Sequence, residues 1–334
     1  MHVRALRQAF IALSGLVLVL PAAATAQSFG TGGVDSFSLS TSPQNPAPYS
    51  QVTLSALSTS LNLANATMTV SVGGAETYRG NVQPVNITLG GAGVLTNVRV
   101  TISANGATYS KTLSLRPQDV VLIAEPISSA PVLYPGKPLV PLEGTVRVVA
   151  MANLRSANGK TLDPNTLSYA WTVDGAQIAS VSGIGKEAII VASPLQYRDR
   201  AVSVIVESQD GNLVGGASLS FTAQMPTVRL YENDPLLGIL YDHALSGGYT
   251  VTGAETSLYA APFSFPSENG APALQWFLNG APAQTGNFIT LRPTGSGEGS
   301  ASLSLVASSG DFVNATANLP LSFGTKSNGN IFGL

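Results

Sequence analysis

The side chains able to do chemistry concentrate in one stretch, Glu232–Tyr249, which reads ENDPLLGILYDHALSGGY. His243 follows Asp242 there, and a histidine base held by a carboxylate is two members of a hydrolytic triad. The third member, a serine on a Gly-x-Ser-x-Gly turn, occurs nowhere in the chain. His243 is therefore expected at a surface or interface, and remains the single candidate for a hydrolase. Glu232, Asp234 and Asp242 offer oxygen ligands for a weak calcium site, but no Asp-x-Asp-x-Asp run supports one. Paired carboxylates of the glycosidase kind have no recognisable setting among the 18 acidic residues.

Between these acids lie Leu236, Leu237, Ile239, Leu240 and Tyr241, a composition suited to docking a protein partner. Two readings of the stretch stand side by side. It is an apolar loop that binds, or a segment that folds back to seal the junction between the second and third domains. Trp171 and Trp276 have rings that stack on sugars, yet each alternates with other apolar residues and reads as core. No phosphate-cradling or cofactor motif occurs. The expectation is a non-enzymatic chain with no catalytic residue and no cofactor.

The elements that position these residues are strands. Met68, Val70 and Val72 alternate and stop at Gly73-Gly74. Tyr169, Trp171 and Val173 stop at Asp174-Gly175; Leu274, Trp276 and Leu278 stop at Asn279-Gly280. Alternation puts each triplet on one strand face, and the dipeptides accept the positive backbone angles of a two-residue hairpin turn. The central residues Val70, Trp171 and Trp276 are 101 and 105 positions apart, the length of one sandwich domain. After each triplet come a short strand (Asn86–Leu89, Ala188–Val191, Phe288–Leu291), a longer one, another turn and a closing strand. The fold class that follows is all-β, three tandem immunoglobulin-like antiparallel sandwiches with Val70, Trp171 and Trp276 in their cores.

On these residues the chain resembles bacterial secreted proteins with tandem immunoglobulin-like or PKD-like domains. Tyr169-Ala170-Trp171 and the later Val204–Gly211 segment look like the strand-C and strand-F signatures of PKD domains. The resemblance covers residues 34–323 and implies a fold, not an activity.

The first residues are set apart from that fold. Arg4 and Arg7 precede an apolar run from Ala9 to Leu20, Pro21 breaks it, and Ala24-Thr25-Ala26 offers a cleavage site before Gln27. This is the pattern of a secretory signal peptide over residues 1–26, with an uncleaved anchor as the alternative. Cleavage places the protein in the periplasm, at the cell surface or outside the cell, with no membrane span in the mature chain. Charged residues make up only 10% of the chain, against about 25% in ordinary soluble proteins. With no basic stripe, nucleic acid and anionic lipid are excluded as partners. Cysteine is absent, so each domain must hold by its apolar core, which is feasible at about 100 residues.

The expected order is a Gly-rich leader at 27–34, domains at 35–117, 118–225 and 226–323, and a polar tail at 324–334 that ends in Ile331-Phe332-Gly333-Leu334. The second domain carries a Pro-rich stretch, Pro126–Pro141, whose apolar residues suit a rigid strap protecting a sheet edge. The function expected is a structural or adhesive rod of the cell envelope, such as part of a pilus or adhesin-type assembly, with an unidentified envelope protein as partner. The alternative is a soluble glycan- or protein-binding module; a hydrolase is the remote one.

Overall fold

The computed structural model describes residues 37–132, 134, 136–294, 297–310 and 312–324. The expected signal peptide, the 27–34 leader and the tail beyond Gly324 lie outside the described residues. The chain is all-β and divides into two compact units. Among the described residues the only helical pieces are three single 3₁₀ turns.

Among the described residues, the first unit is built from residues 37–39, Ser58–Val82 and Asn97–Leu113. Its sheet runs Ala75–Asn81, Thr67–Val72, Thr96–Ala104, Ala107–Leu115 in spatial order. Val70 pairs with Val100 and Met68 with Ile102, and all four side chains are buried. Period-two alternation sends them to one face.

The second unit holds the rest of the described residues. In it Gln51–Leu57 pairs antiparallel with Val85–Thr88. The outward side of this pair is polar: Thr53 Oγ1 donates to Asn86 Oδ1 at 2.8 Å.

Two complete sandwiches follow in the second unit, each with its own core. The first packs the sheet Asp119–Pro126, Thr145–Asn153, Ala188–Ala192 against the sheet of Ala176–Gln177, Ser168–Val173, Asp199–Glu207 and Val214–Thr222. The second packs Gly238–Ile239, Thr227–Asp234, Thr256–Phe263, Phe288–Leu291 against Tyr249–Val251, Val313–Phe323, Gly299–Ser309, Ala273–Leu278, Ala281–Thr285. Tyr249–Val251 runs parallel to Val313–Phe323; the other strand-to-strand pairings described in these two sandwiches are antiparallel.

Trp171 and Trp276 occupy equivalent places and are fully buried. Each indole N–H finds a backbone carbonyl: Trp171 Nε1 donates to Lys186 O and Trp276 Nε1 to Gly286 O, both at 2.8 Å. A buried N–H without a partner costs about 1–3 kcal/mol, so these bonds let the large ring sit at the centre. The hairpin dipeptides behave as their types require. Asp174 and Gly175 have φ of 49° and 82°, and Asn279 and Gly280 have 51° and 79°. Two successive positive angles match the twist of the strands they join.

The strands that directly follow the turns are Ala75–Asn81, Ala176–Gln177 and Ala281–Thr285. They escape the alternation pattern because they are edge pieces with almost no buried side chain. The Ala188 and Phe288 runs belong instead to the opposite sheet of each sandwich, where they pair with Thr145–Asn153 and Thr256–Phe263.

Candidate functional site

Glu232–Tyr249 begins as the end of a strand. Thr227–Asp234 turns through Pro235, Leu236 and Leu237 and returns as Gly238–Ile239, with Asn233 opposite Ile239 and Asp234 opposite Gly238. Gly238 takes φ +78°, a left-handed value that glycine adopts without steric cost. Asp234 Oδ1 accepts the N–H groups of both Leu236 and Leu237 at 2.8 Å. These two bonds hold the Asp234 carboxyl below its usual range and fasten the tip in one conformation. Leu236 and Leu237 then point outward, 94% and 77% exposed.

Beyond the tip the chain lies back on its own sheet. Leu240 N donates to Glu232 O at 2.9 Å and Leu245 N to Leu230 O at 2.7 Å. Ile239 and Ala244 pack on Tyr231, Tyr259 and Ala261. The Tyr241 ring meets Tyr231 edge-on at 5.2 Å and Tyr259 at 6.2 Å, and Tyr259 meets Phe288 at 5.0 Å. The outward face of this sheet is therefore an aromatic layer, from which Tyr241 and Phe288 remain 37% and 43% exposed. Burial, followed by the neighbouring Tyr241, pushes the Tyr259 hydroxyl up to about 12. Burial likewise raises Tyr231. Burial and then the Glu232 carboxylate raise Tyr249 to about 12. Tyr231 and Tyr259 are thus uncharged at neutral pH, so the layer presents rings and hydroxyls rather than charge, while Tyr249 packs on the inner side, against the core.

The five docking candidates thus separate. Leu236 and Leu237 form the exposed tip, while Ile239, Leu240 and Tyr241 are partly covered by the sheet or lie against it. Tyr231, Tyr259 and Phe288 complete the surface and were not among the sequence candidates. Their signal was an apolar residue at an outward strand position: Tyr231 next to Leu230, Tyr259 next to Leu258, and Phe288 out of step with Ile289 and Leu291.

The acidic side chains do not assemble. Among the described residues no group of three Asp, Glu or His side chains has metal-binding geometry. Asp234 is occupied by the hairpin amides. Glu232 sits beside Tyr249. Asp242 Oδ2 lies 3.0 Å from His243 Nδ1, which lowers the Asp242 carboxyl, chiefly through that hydrogen bond. The calcium expectation for Glu232, Asp234 and Asp242 is corrected accordingly: a strand end, an Asx turn and a loop separate the three carboxylates. The Asp242–His243 pair is itself largely exposed, at a loop surface.

The junction of the two sandwiches is closed by the Pro-rich stretch, not by Glu232–Tyr249. Ser128 bridges to Pro266. Ser129 N donates to Phe265 O at 2.8 Å, Ser264 N to Ser129 O at 3.1 Å, and Ser267 N to Ile127 O at 3.2 Å. The buried Ser264 hydroxyl lies 3.1 Å from Gln224 O and 3.3 Å from Val140 O. Tyr134 stacks edge-on against Phe263 at 5.4 Å. A Cβ at Gly144 would come within 2.5 Å of Pro141 Cγ and 3.1 Å of Pro266 Cβ, so only glycine lets the strap lie flat. The strap fastens the two sandwiches together, and its Val140-Pro141 end also lies along Gln224, just past the edge strand Val214–Thr222 of its own sandwich.

Among the described residues no helix is long and apolar enough to cross a membrane. No protein-family model and no curated protein sequence matches the chain. Solved structures similar to it are themselves arrays of β-sandwich domains. The three N-terminal domains of the bacteriophage RB49 highly immunogenic outer capsid protein (Hoc) share 14% identity, with 87% of this chain and 98% of that one covered and a TM-score of 0.24. The central fibronectin-III array of RIM-binding protein shares 10% identity, covering 84% and 94%, at a TM-score of 0.29. The SGBP-B protein of the Bacteroides ovatus mixed-linkage glucan utilization locus, solved with a mixed-linkage heptasaccharide, shares 16% identity, covering 86% and 70%, at a TM-score of 0.21. At these scores the fold of this chain rests on its own strand pairing: it is a tandem immunoglobulin-like β-sandwich protein.

Proposed function

We propose that the chain is a non-enzymatic exported protein of the cell envelope or surface that contacts a protein partner through the Leu236–Leu237 tip. One observation carries this reading: two leucines held outward on a hairpin whose backbone is fixed by Asp234. Burying a leucine in a partner's pocket stabilises a complex by about 1.5–3 kcal/mol, and a tip already fastened loses little entropy on docking. Export is supported by the Arg4, Arg7, apolar-run and Ala24-Thr25-Ala26 pattern. The sparse charge suits a partner recognised by shape and apolar contact rather than by steering.

A photo-crosslinking residue at Leu237, introduced in the cells that make the protein, tests the reading. The expected result is one envelope protein captured from outside the chain and lost in a Leu236→Ser/Leu237→Ser variant whose melting temperature is unchanged. Crosslinks confined to the chain itself would sink it.

The aromatic layer favours a second reading, glycan binding, because sugar rings stack on exposed aromatic faces. Phe288→Ala separates the two. Loss of oligosaccharide binding with protein capture intact would assign the layer to a glycan and leave the tip to the protein.

A further inference from the structure

We infer that Asn105 is a site of spontaneous covalent modification: its side-chain amide is lost through a cyclic imide formed with Gly106, which leaves aspartate and isoaspartate at that position. The pair is the exposed turn between Thr96–Ala104 and Ala107–Leu115 in the first unit. The reaction needs only these two residues and water. The Gly106 backbone nitrogen gives up its proton and attacks Asn105 Cγ. The bond from Cγ to the side-chain nitrogen breaks and ammonia leaves, closing the imide ring. Water then opens the ring. Opening at the side-chain carbonyl gives aspartate, and opening at the backbone carbonyl gives isoaspartate. Glycine favours the attack, because without a Cβ its nitrogen is unshielded and its backbone rotates freely. The space a Cβ would fill at Gly106 is empty to 4 Å.

Local bonding singles out this pair among the described Asn-Gly pairs. Asn279-Gly280 is the same kind of exposed turn, with φ of 51° and 79° against 53° and 75° at Asn105-Gly106, and alanine follows both. Yet Asn279 Oδ1 accepts the Ser302 N–H at 2.8 Å, which ties its side chain to the neighbouring strand. At Asn158-Gly159 the Asn158 Oδ1 accepts from Ser156 Oγ and Lys160 N, and Gly159 N donates to Ser156 O at 2.9 Å. At Asn269-Gly270 the glycine N–H donates to Ser267 O at 3.1 Å. A proton held by a carbonyl is harder to remove, and an anchored carboxamide cannot swing towards the nitrogen; approach and orientation set the rate of such a ring closure. Among the described residues no hydrogen bond holds the Asn105 side chain or the Gly106 N–H. The products add a negative charge to a chain of formal net charge −2. Isoaspartate also runs the chain through the former side chain, which puts an extra carbon into a turn matched to its strands only as two residues. The end of this hairpin loosens as a result.

Incubation of the full chain in neutral and in mildly alkaline buffer, followed by peptide mapping with mass spectrometry, tests this. The Asn105 peptide is expected to exchange ammonia for water, faster in the alkaline buffer, and to split into two chromatographic forms. A protease specific for normal aspartate should cut only one of them. The Asn279 peptide should react at least about tenfold more slowly. In chain unfolded by urea, where the bond to Ser302 is lost, the two peptides should react at similar rates. Asn105→Gln should remove the acidic band that accumulates on native isoelectric focusing of the aged protein. An unmodified Asn105 would overturn the inference. So would a folded chain in which Asn158, Asn269 or Asn279 reacts as fast, or a gap between Asn105 and Asn279 that persists in urea.

Discussion

Asp119–Pro126, Thr145–Asn153 and Ala188–Ala192 hold the same place in one sandwich that Thr227–Asp234, Thr256–Phe263 and Phe288–Leu291 hold in the next. Their inner faces are interchangeable in kind: Val146, Val148 and Ile189 meet Trp171 in one core, and Leu230, Leu258 and Ile289 meet Trp276 in the other. Their outer faces diverge. One is aliphatic and open, with Val121, Met151 and Ile190 exposed. The other is aromatic and roofed by the hairpin and Tyr241. The polar pair Thr53 and Asn86 shows a third finish, on the Gln51–Leu57 and Val85–Thr88 strands. A core demands one set of side chains from every repeat, because close packing tolerates little change. The solvent side makes no such demand, so differences there mark where repeats of one architecture take on separate tasks.

The largest effect that sharpens this comparison is in the cores. Trp171→Ala and Trp276→Ala should each cost about 3–5 kcal/mol and leave an indole-sized cavity. Because the two cores are separate clusters, calorimetry should show a different transition lowered by each variant. A single transition lowered equally by both would break the equivalence and make the strap of Ser129 and Ser264 dominant.

A smaller effect distinguishes the faces. Tyr241→Ala removes two edge-on ring contacts and should destabilise its sandwich by about 1–2 kcal/mol. Met151→Ala, on the open face, should stay within about 0.5 kcal/mol. Urea midpoints of the two variants measure the contrast, and equal costs would mean that the aliphatic face is as much a structural layer as the aromatic one.

The smallest effect appears only at high pH. Tyr259 is raised to about 12 in the fold, above its ordinary value near 10. The folded state therefore holds its proton where the unfolded chain releases it. Stability from this group is complete below pH 10 and is lost as pH rises towards 12. Tyr259→Phe should flatten that part of the stability curve. Tyr169, raised to about 12 by burial, then Glu187 and Asp163, should add its own alkaline loss in the other sandwich. A Tyr259→Phe curve that keeps the full slope would assign the loss to Tyr169 and Tyr249 instead.

Much of the fold is legible in the sequence, and particular residues show why. Trp171 and Trp276 declare themselves by alternation and by the Asp-Gly or Asn-Gly pair that follows, both of which are local properties. The strand Ala281–Thr285 does not, since all five of its side chains are exposed and period two leaves no trace where neither face is buried. The aromatic layer was half legible. The run Leu258–Ala261 is apolar on both faces, which signals a strand covered on both sides, but nothing local says that Tyr241 supplies the cover. The roles of the two unusual loops were not legible at all. The Pro-rich stretch seals the junction through Ser129 and Phe265, which are 136 positions apart, while Glu232–Tyr249 stays within its own sandwich.

The sequence alone determined the all-β class, the repeat, the hairpin turns and the identity of the buried tryptophans, because all of these follow from the chirality and two-residue period of a strand. Only the tertiary structure decided that Leu236 and Leu237 face water while Tyr241 lies on a sheet, that the acidic side chains stay apart, and that Val121, Met151 and Ile190 form one continuous open face. Those outcomes depend on register between strands and on which segment reaches a given face first. Both are set by contacts between residues far apart in the chain, where composition and periodicity carry no information.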